Sequence, residues 1–322
     1  MKNIIFLIAF AVLFLACRQQ KVVNDANESN TKLSFSLESS MNFLASNEVE
    51  GRDTGSTGLD KAASFIAQRF DTLGIKPYYV SYRDEFMVDS VNTYNVVGWL
   101  EGTDEKLKEE FIVVGAHYDH VGRRARPFEG DSIANGANDN ATGTATVLKI
   151  AEHFANNKTN KRSLIFALFS AEEIGLLGSK HLAERMKSDS LNIYTMVNFE
   201  MTGVPFNDDR SYLALITGHD LSNMAEKINE YAGEEVVGKS FVAKKYGLFM
   251  RSDNYPFYKA MGIPAQTVGT CDLTNFDYYH HVDDENDKMN FKHMQNVVDK
   301  MIPAIEGMAN SETQEIKMIE NE

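Results

Sequence analysis

The sequence predicts a single α/β domain built on a central, mostly parallel mixed β-sheet with helices on both faces. Strand-like runs alternate with amphipathic helical segments along most of the chain, the order that gives parallel pairing through helical crossovers. Two of those runs, FIVVGA (111–116) and SLIFALF (163–169), are continuously apolar, as strands covered on both faces are. There is no internal repeat or low-complexity linker, so one domain accounts for the 322 residues.

The N-terminus stands apart from that domain. Residues 1–16, MKNIIFLIAFAVLFLA, join a basic Lys2 to an apolar stretch from Ile4 to Ala16 that is too short to span a bilayer comfortably. Cys17 follows at once, and LFLAC resembles a bacterial lipoprotein lipobox. An exported protein is therefore expected, anchored to a membrane through a lipidated Cys17 and facing the periplasm or the cell exterior. The alternative is an ordinary cleaved signal peptide with an incidental cysteine. Residues 17–35, rich in Asn, Ser and Lys, read as a flexible tether.

The folded domain is expected over 36–310. Ala62, Phe65, Ile66, Phe70 and Leu73 mark one face of a helix over 59–73, which Gly74 ends. Strands are predicted at 93–100, 111–116, 163–169, 195–199, 212–218 and 264–269. Between them helical spacing covers Thr142–Ala155, Ser179–Met186 and Leu221–Tyr231. A last helix, Phe291–Met308, contains Pro303, which is expected to kink or break it. The polar tail 311–322 is expected to fray.

Composition excludes some functions. A formal net charge of -14 argues against nucleic acid as a partner, because phosphate binding needs clustered Lys and Arg. The only other cysteine is Cys271, so no disulfide framework is available. In GTCD it reads as a core or loop thiol, with no zinc-type cysteine spacing near it.

In an open α/β sheet, ligands bind beyond the carboxyl ends of the strands. Here FIVVGA runs into His117-Tyr118-Asp119-His120, SLIFALF into Ser170-Ala171-Glu172-Glu173, and TMVNF into Glu200. Asp139, in NGANDNATG, precedes the helix from Thr142, and His280 and His281 follow the run that ends at Gly269. Each piece alone has an ordinary explanation: a helix cap, a solvated face, a salt-bridge partner, a loop histidine. All of them at strand ends of one sheet point instead to a metal centre. The adjacent Glu172 and Glu173 sharpen the point, since each carboxylate disfavours ionisation of the other unless a cation lies between them and further ligands. One Asp and two Glu ligands bring three negative charges, and a bridging hydroxide brings a fourth. That total balances two Zn²⁺ ions, with Co²⁺ or Mn²⁺ as alternatives.

The motifs also resemble, in order, those of the M28-type zinc aminopeptidases, co-catalytic metallopeptidases whose relatives include single-zinc glutaminyl cyclases. The resemblance runs from EGRDTGSTGLDKAASFIAQRFDTLGIKP (50–77) through GAHYDH (115–120), NGANDNATG (135–143) and FSAEEIGLLGS (169–179). It continues through NFEMTG (198–203) and RSDNYPFYKAMGIPA (251–265) to YHHVDDENDKMN (279–290). It implies a zinc-exopeptidase-like fold, peptide substrates and two zinc ions. His117 and Glu200 would bind one metal, Glu173 the other, Asp139 would bridge them, and His280 would be a further ligand. Asp119 would orient His117 from behind. His280 is chosen over His281 because the family places a His four residues before an Asp, here Asp284.

Glu172 is then the general base. With a bend at the strand end, one carboxylate of the pair grips metal while the other overhangs the reacting water. The family commonly has Ser-Asp-His where this chain has Ser252-Asp253-Asn254, so the role of the third residue is not carried over. Asp253 has two readings, facing the substrate amine or capping a turn. The run Arg123, Arg124 and Arg126 reads as a solvated loop, with carboxylate binding as the alternative. Tyr278 and Tyr279 either line a side-chain pocket or pack beside the last ligand.

Two other functions compete. A glutaminyl cyclase-like aminoacyltransferase uses one zinc and a Trp-lined pocket, whereas the single tryptophan, Trp99, lies in a predicted strand. A non-catalytic binding domain leaves the whole ligand set and Glu172 without a purpose.

Overall fold

The computed structural model describes residues 32–320; residues 1–16, read above as a signal peptide, and Cys17 lie outside the described residues. The body opens with α1 (Leu37–Leu44), α2 (Thr57–Thr72), β1 (Lys76–Pro77), β2 (Arg83–Val88) and β3 (Val91–Leu100). Next come β4 (Phe111–His117), a hairpin of β5 (Arg123–Phe128) and β6 (Asp131–Ile133), α3 (Thr142–Asn157), β7 (Ser163–Phe169) and α4 (Leu177–Ser188). β8 (Ile193–Glu200), β9 (Ala214–Ile216), α5 (Met224–Ala232), β10 (Val237–Gly238) and α6 (Phe241–Lys245) follow. The chain ends through α7 (Asn254–Met261), β11 (Ala265–Gly269) and α8 (Phe291–Asn310).

The main sheet has the order β1-β3-β7-β4-β8-β11-β9-β10, with β2 also paired to β3. Its centre, β7, β4, β8 and β11, is parallel. β3 and β9 flank that centre antiparallel, so the sheet is mixed, as the sequence predicts. Every residue of β7 is buried, because alternate residues enter different cores. Leu164, Phe166 and Leu168 belong on one face to a core shared with α1, α2, α3, α5 and α8. Ile165, Ala167 and Phe169 meet α4 and α7 on the other. Burial on both sides is why the strand carries no polar alternation.

Four expectations need correction. α8 runs unbroken from Phe291 to Asn310 with Pro303 inside it. Proline removes one helical hydrogen bond, but Val297, Met301, Ala304, Ile305 and Met308 are all buried on both sides of it and hold the helix to the core. Over its described residues, 311–320, the tail does not fray: Ile316 is buried and its N–H donates to Tyr194 Oη at 2.7 Å, while Met318 bridges Ser222. The end of the tether is pinned as well, since Phe35 N–H donates to Glu152 Oε2 at 2.7 Å. The strand predicted at 212–218 shortens to Ala214–Ile216, where pairing with β11 ends and Gly218 turns the chain.

Candidate metal centre

All seven residues singled out from the sequence meet at the carboxyl ends of β4, β7 and β8 and in the loops beside them. β4 ends on His117, whose ring is buried. Its Nδ1 faces the Asp119 carbonyl oxygen at 3.1 Å. A carbonyl only accepts, so the proton sits on Nδ1 and the Nε2 lone pair is free to bind. Nε2 lies 3.0 Å from Glu200 Oε1 and 3.3 Å from Asp139 Oδ1.

The other oxygen of Asp139 faces a second imidazole. Oδ2 is 3.1 Å from His280 Nε2, which is itself 2.9 Å from Glu173 Oε2. Asp139 thus stands between two donor sets, one on each oxygen. Its position is fixed from two sides. The amides of Asn138 and Asp139 donate to the two Asp284 oxygens at 2.8 and 3.0 Å, which gives a physical reason for the His280–Asp284 spacing. The peptide from Asp139 to Asn140 is cis. Asn140 Oδ1 then accepts from Gly143 and Met201 at 2.9 and 3.1 Å, and its Nδ2 donates to Phe199 O at 2.9 Å. That single side chain ties the bridging turn to the end of β8, where Glu200 sits.

The bend expected after β7 is at Ala171, whose φ is +58°. Beyond it the two glutamates separate. Glu173 turns towards His280, while Glu172 joins His117 and Glu200. Asp119 secures the bend: its Oδ1 accepts from Glu172 N–H at 3.2 Å and its Oδ2 from Glu173 N–H at 3.4 Å. The same carboxylate lies 3.7 Å from His117 Nδ1. Asp119 therefore does more than orient one imidazole; it positions both glutamates.

Electrostatics separate the pair further. Burial, reinforced by Glu200, Asp253 and Glu173 and opposed by His117, raises the Glu172 carboxyl well above the ordinary carboxylate range. Burial and Asp139 also press on Glu173, but His120 and His280 hold it below that range. One glutamate is set up to carry a proton, the other to stay charged.

Three contributors were not assigned from the sequence. His120 is buried, with Nδ1 2.7 Å from Glu173 Oε1 and 3.8 Å from Asp139 Oδ2. Its place three residues after His117 in GAHYDH was the available signal. A Cβ on Gly136, which has φ +59°, would lie 2.5 Å from the His120 ring, so only glycine leaves room for it. Arg52 is buried and donates to the carbonyls of Tyr118, Asn135 and Gly136 at 2.8, 2.6 and 2.8 Å, and also to that of Leu44. It clamps the His117 loop to the Asp139 turn. Ser252 Oγ donates to Glu200 Oε2 at 2.5 Å. Nothing in a lone Arg or Ser forecasts such partners.

Other candidates settle differently. His281 Nδ1 accepts from Asp283 N–H at 3.1 Å and its ring packs on Phe128, away from both donor sets. Cys271 is buried in the cleft wall, its thiol pushed up to about 12 by burial, and it joins neither set. Asp253 is buried with neither oxygen hydrogen-bonded, near enough to Glu172 to raise it. Arg123 pairs with Glu50 at 2.8 Å. Tyr279 stacks on His280 with ring centroids 3.9 Å apart.

Two groups can hold a divalent cation: His117, Glu172 and Glu200, and His120, Asp139, Glu173 and His280. The spacing fits zinc. Donors about 2.0–2.1 Å from a tetrahedral ion lie roughly 3.3 Å from each other, and the four separations among His117, Glu200, Asp139, His280 and Glu173 run from 2.9 to 3.3 Å. Asp139 Oδ2 and His280 Nε2 are buried and close, yet share no hydrogen bond; their lone pairs converge on a common point instead.

Comparison with known proteins places the chain. The model of Peptidase family M28 matches residues 95–305. The chain belongs to peptidase family M28. Among its relatives in that fold, a probable leucine aminopeptidase of Arthroderma otae is 28% identical over 253 residues, 74% of this chain and 63% of that protein. The chain spans from 25% to 63% of the length of the first curated relatives it matches. Solved structures share the architecture. BSAP, a zinc aminopeptidase from Bacillus subtilis, superposes with a TM-score of 0.67 at 16% identity, covering 87% of this chain and 97% of that one. A Bacteroides thetaiotaomicron glutaminyl cyclase does so with a TM-score of 0.62 at 16% identity, covering 87% and 99%. Likeness at this identity is likeness of fold.

Proposed function

We propose that this chain is an aminopeptidase that removes N-terminal residues from peptides with the help of two zinc ions. The observation that carries the reading is Asp139, whose two oxygens face His117 at 3.3 Å and His280 at 3.1 Å. His117 and Glu200 would hold one ion and Glu173 and His280 the other, with Asp139 between the two sets. When bound there, zinc would supply Lewis acidity towards water and towards the scissile carbonyl. The protein supplies the proton transfers. Glu172, whose carboxyl has no hydrogen-bond partner among the described residues, takes a proton from the attacking water and returns it to the departing amine. Asp119 keeps that carboxyl and the His117 ring in register. The glutaminyl cyclase reading loses support, because Trp99 packs edge-on against Tyr78 in β3 and does not line the cleft beside Glu172.

Metal analysis of the purified protein, with aminoacyl p-nitroanilides assayed before and after chelation, tests this. About two zinc per chain and chelator-sensitive hydrolysis are expected. Hydrolysis that survives metal removal overturns the reading. The lipobox-like LFLAC supports export and membrane attachment through Cys17. Incorporation of labelled fatty acid, abolished by Cys17→Ala, is the expected result; unlabelled wild type counts against the anchor.

A further inference from the structure

The cleft beside the proposed centre is lined by acidic and apolar residues and one arginine. Arg251 shares that lining with Glu172, Glu200, Leu215, Leu248 and Leu273. It is exposed, and among the described residues its guanidinium has no hydrogen-bond or ion-pair partner. Other arginines of the body are engaged: Arg162 with Glu110, Arg185 with Asp84, Arg210 with Asp208 and Asp272. Arg124 and Arg126 are exposed too, but they do not line the cleft.

The root of Arg251 is fixed although its tip is free. Its N–H donates to Leu248 O at 3.1 Å, and the next residue, Ser252, is buried and bonded to Glu200 Oε2. The guanidinium is therefore carried on a fixed stretch of backbone, next to the residue that holds the proposed ligand Glu200, and it forms no ion pair with the nearby carboxylates. Guanidinium offers a planar fork that matches a carboxylate in a two-point hydrogen bond. A cation left unpaired in a reaction cleft is matched to an anion that arrives with the substrate.

We propose that Arg251 binds a carboxylate of the substrate and directs the enzyme to peptides that present one close to the scissile bond. This rests on the aminopeptidase reading above. Two sources have this chemistry: the free C-terminus of a short peptide, and an acidic side chain. The apolar part of the lining, Leu215, Leu248, Leu273 and Met201, suits an apolar N-terminal side chain. That favours the C-terminus of a di- or tripeptide as the group Arg251 holds.

The test uses the zinc-loaded protein and two matched substrate pairs: Leu-Gly against Leu-Gly amide, and Glu-p-nitroanilide against Gln-p-nitroanilide. The readout is the ratio of kcat/KM within each pair for wild type, Arg251→Met and Arg251→Lys. We expect the Leu-Gly to Leu-Gly amide ratio to fall about tenfold in Arg251→Met, the scale of one hydrogen-bonded charge. Arg251→Lys should keep part of it, since charge remains but the fork does not. A fall confined to the Glu/Gln ratio assigns the acidic side chain instead and still supports carboxylate binding. Ratios that stay put in both pairs overturn the proposal. If wild type hydrolyses none of the four, the aminopeptidase reading fails by itself. Calorimetric binding of Leu-Gly and Leu-Gly amide then decides on Arg251: a preference for the acid that Arg251→Met abolishes supports it, and equal or absent binding refutes it. Arg251 is exposed, so melting temperatures of the variants should match wild type.

Discussion

Replacing Glu172 by glutamine isolates proton transfer from metal binding. Gln keeps the shape and the hydrogen-bonding backbone of Glu172, including its N–H donation to Asp119 at 3.2 Å, and removes only the ability to accept a proton. General-base catalysis contributes about 10²–10⁴ in rate, so roughly 3–5 kcal/mol of transition-state stabilisation should disappear. The fold should not suffer. Burial and three neighbouring carboxyl groups raise the Glu172 carboxyl, so the ionised form is strained in the metal-free protein and a neutral amide is better tolerated. The assay measures kcat/KM on Leu-p-nitroanilide together with zinc content and melting temperature. The expected pattern is a loss of at least a hundredfold with zinc content near that of wild type. Activity above a tenth of wild type would refute the base assignment. Full loss accompanied by loss of zinc would make Glu172 a ligand instead.

Further outcomes follow from the same geometry. Asp119→Ala removes the support of His117 and of both glutamate amides; zinc affinity should fall about 10–100-fold, and an unchanged affinity by competition with a chelator would contradict that role. Truncation after Thr313 uncovers Tyr194 and the Ile316 pocket; denaturant unfolding should show a loss of about 2 kcal/mol, and an unaltered midpoint would mean the tail only rests on the surface. Burial, countered in part by His117, lifts the Asp253 carboxyl to about 7. In the metal-free protein the folded state then holds a proton that the unfolded chain releases near pH 4, so stability falls as pH rises from about 4 to 7. Asp253→Asn should remove that contribution, its melting temperature gaining on wild type as pH rises; a gap independent of pH would show that Asp253 does not titrate there.

Much of this was legible because buried strands and metal ligands leave strong local marks. SLIFALF carries no alternation because both its faces are covered, and the residue types at the ends of β4, β7 and β8 have few other reasons to recur there. Asp139 and His280 were readable from their neighbours, the helix after one and the spaced Asp284 after the other. What escaped were residues whose importance lies in distant partners. Arg52 meets carbonyls 66, 83 and 84 positions away, and no local pattern encodes that. Pro303 misled for the mirror reason: a local helix-breaking rule yields when long-range burial on both sides opposes it. The docked tail shows the same thing, since its polar composition conceals the one buried Ile316.

The hydrogen bonds from Asn138 and Asp139 to Asp284 join positions about 145 apart in sequence. The donor set cannot assemble piecemeal, because His280 completes it while Asp284, four residues on, locks a turn made about 145 positions earlier. Loading with metal thus becomes a completion signal for the whole domain. A partly made or misfolded chain has scattered weak ligands and no reason to retain an ion, which makes retained zinc after dialysis a direct gauge of how much of a preparation is native.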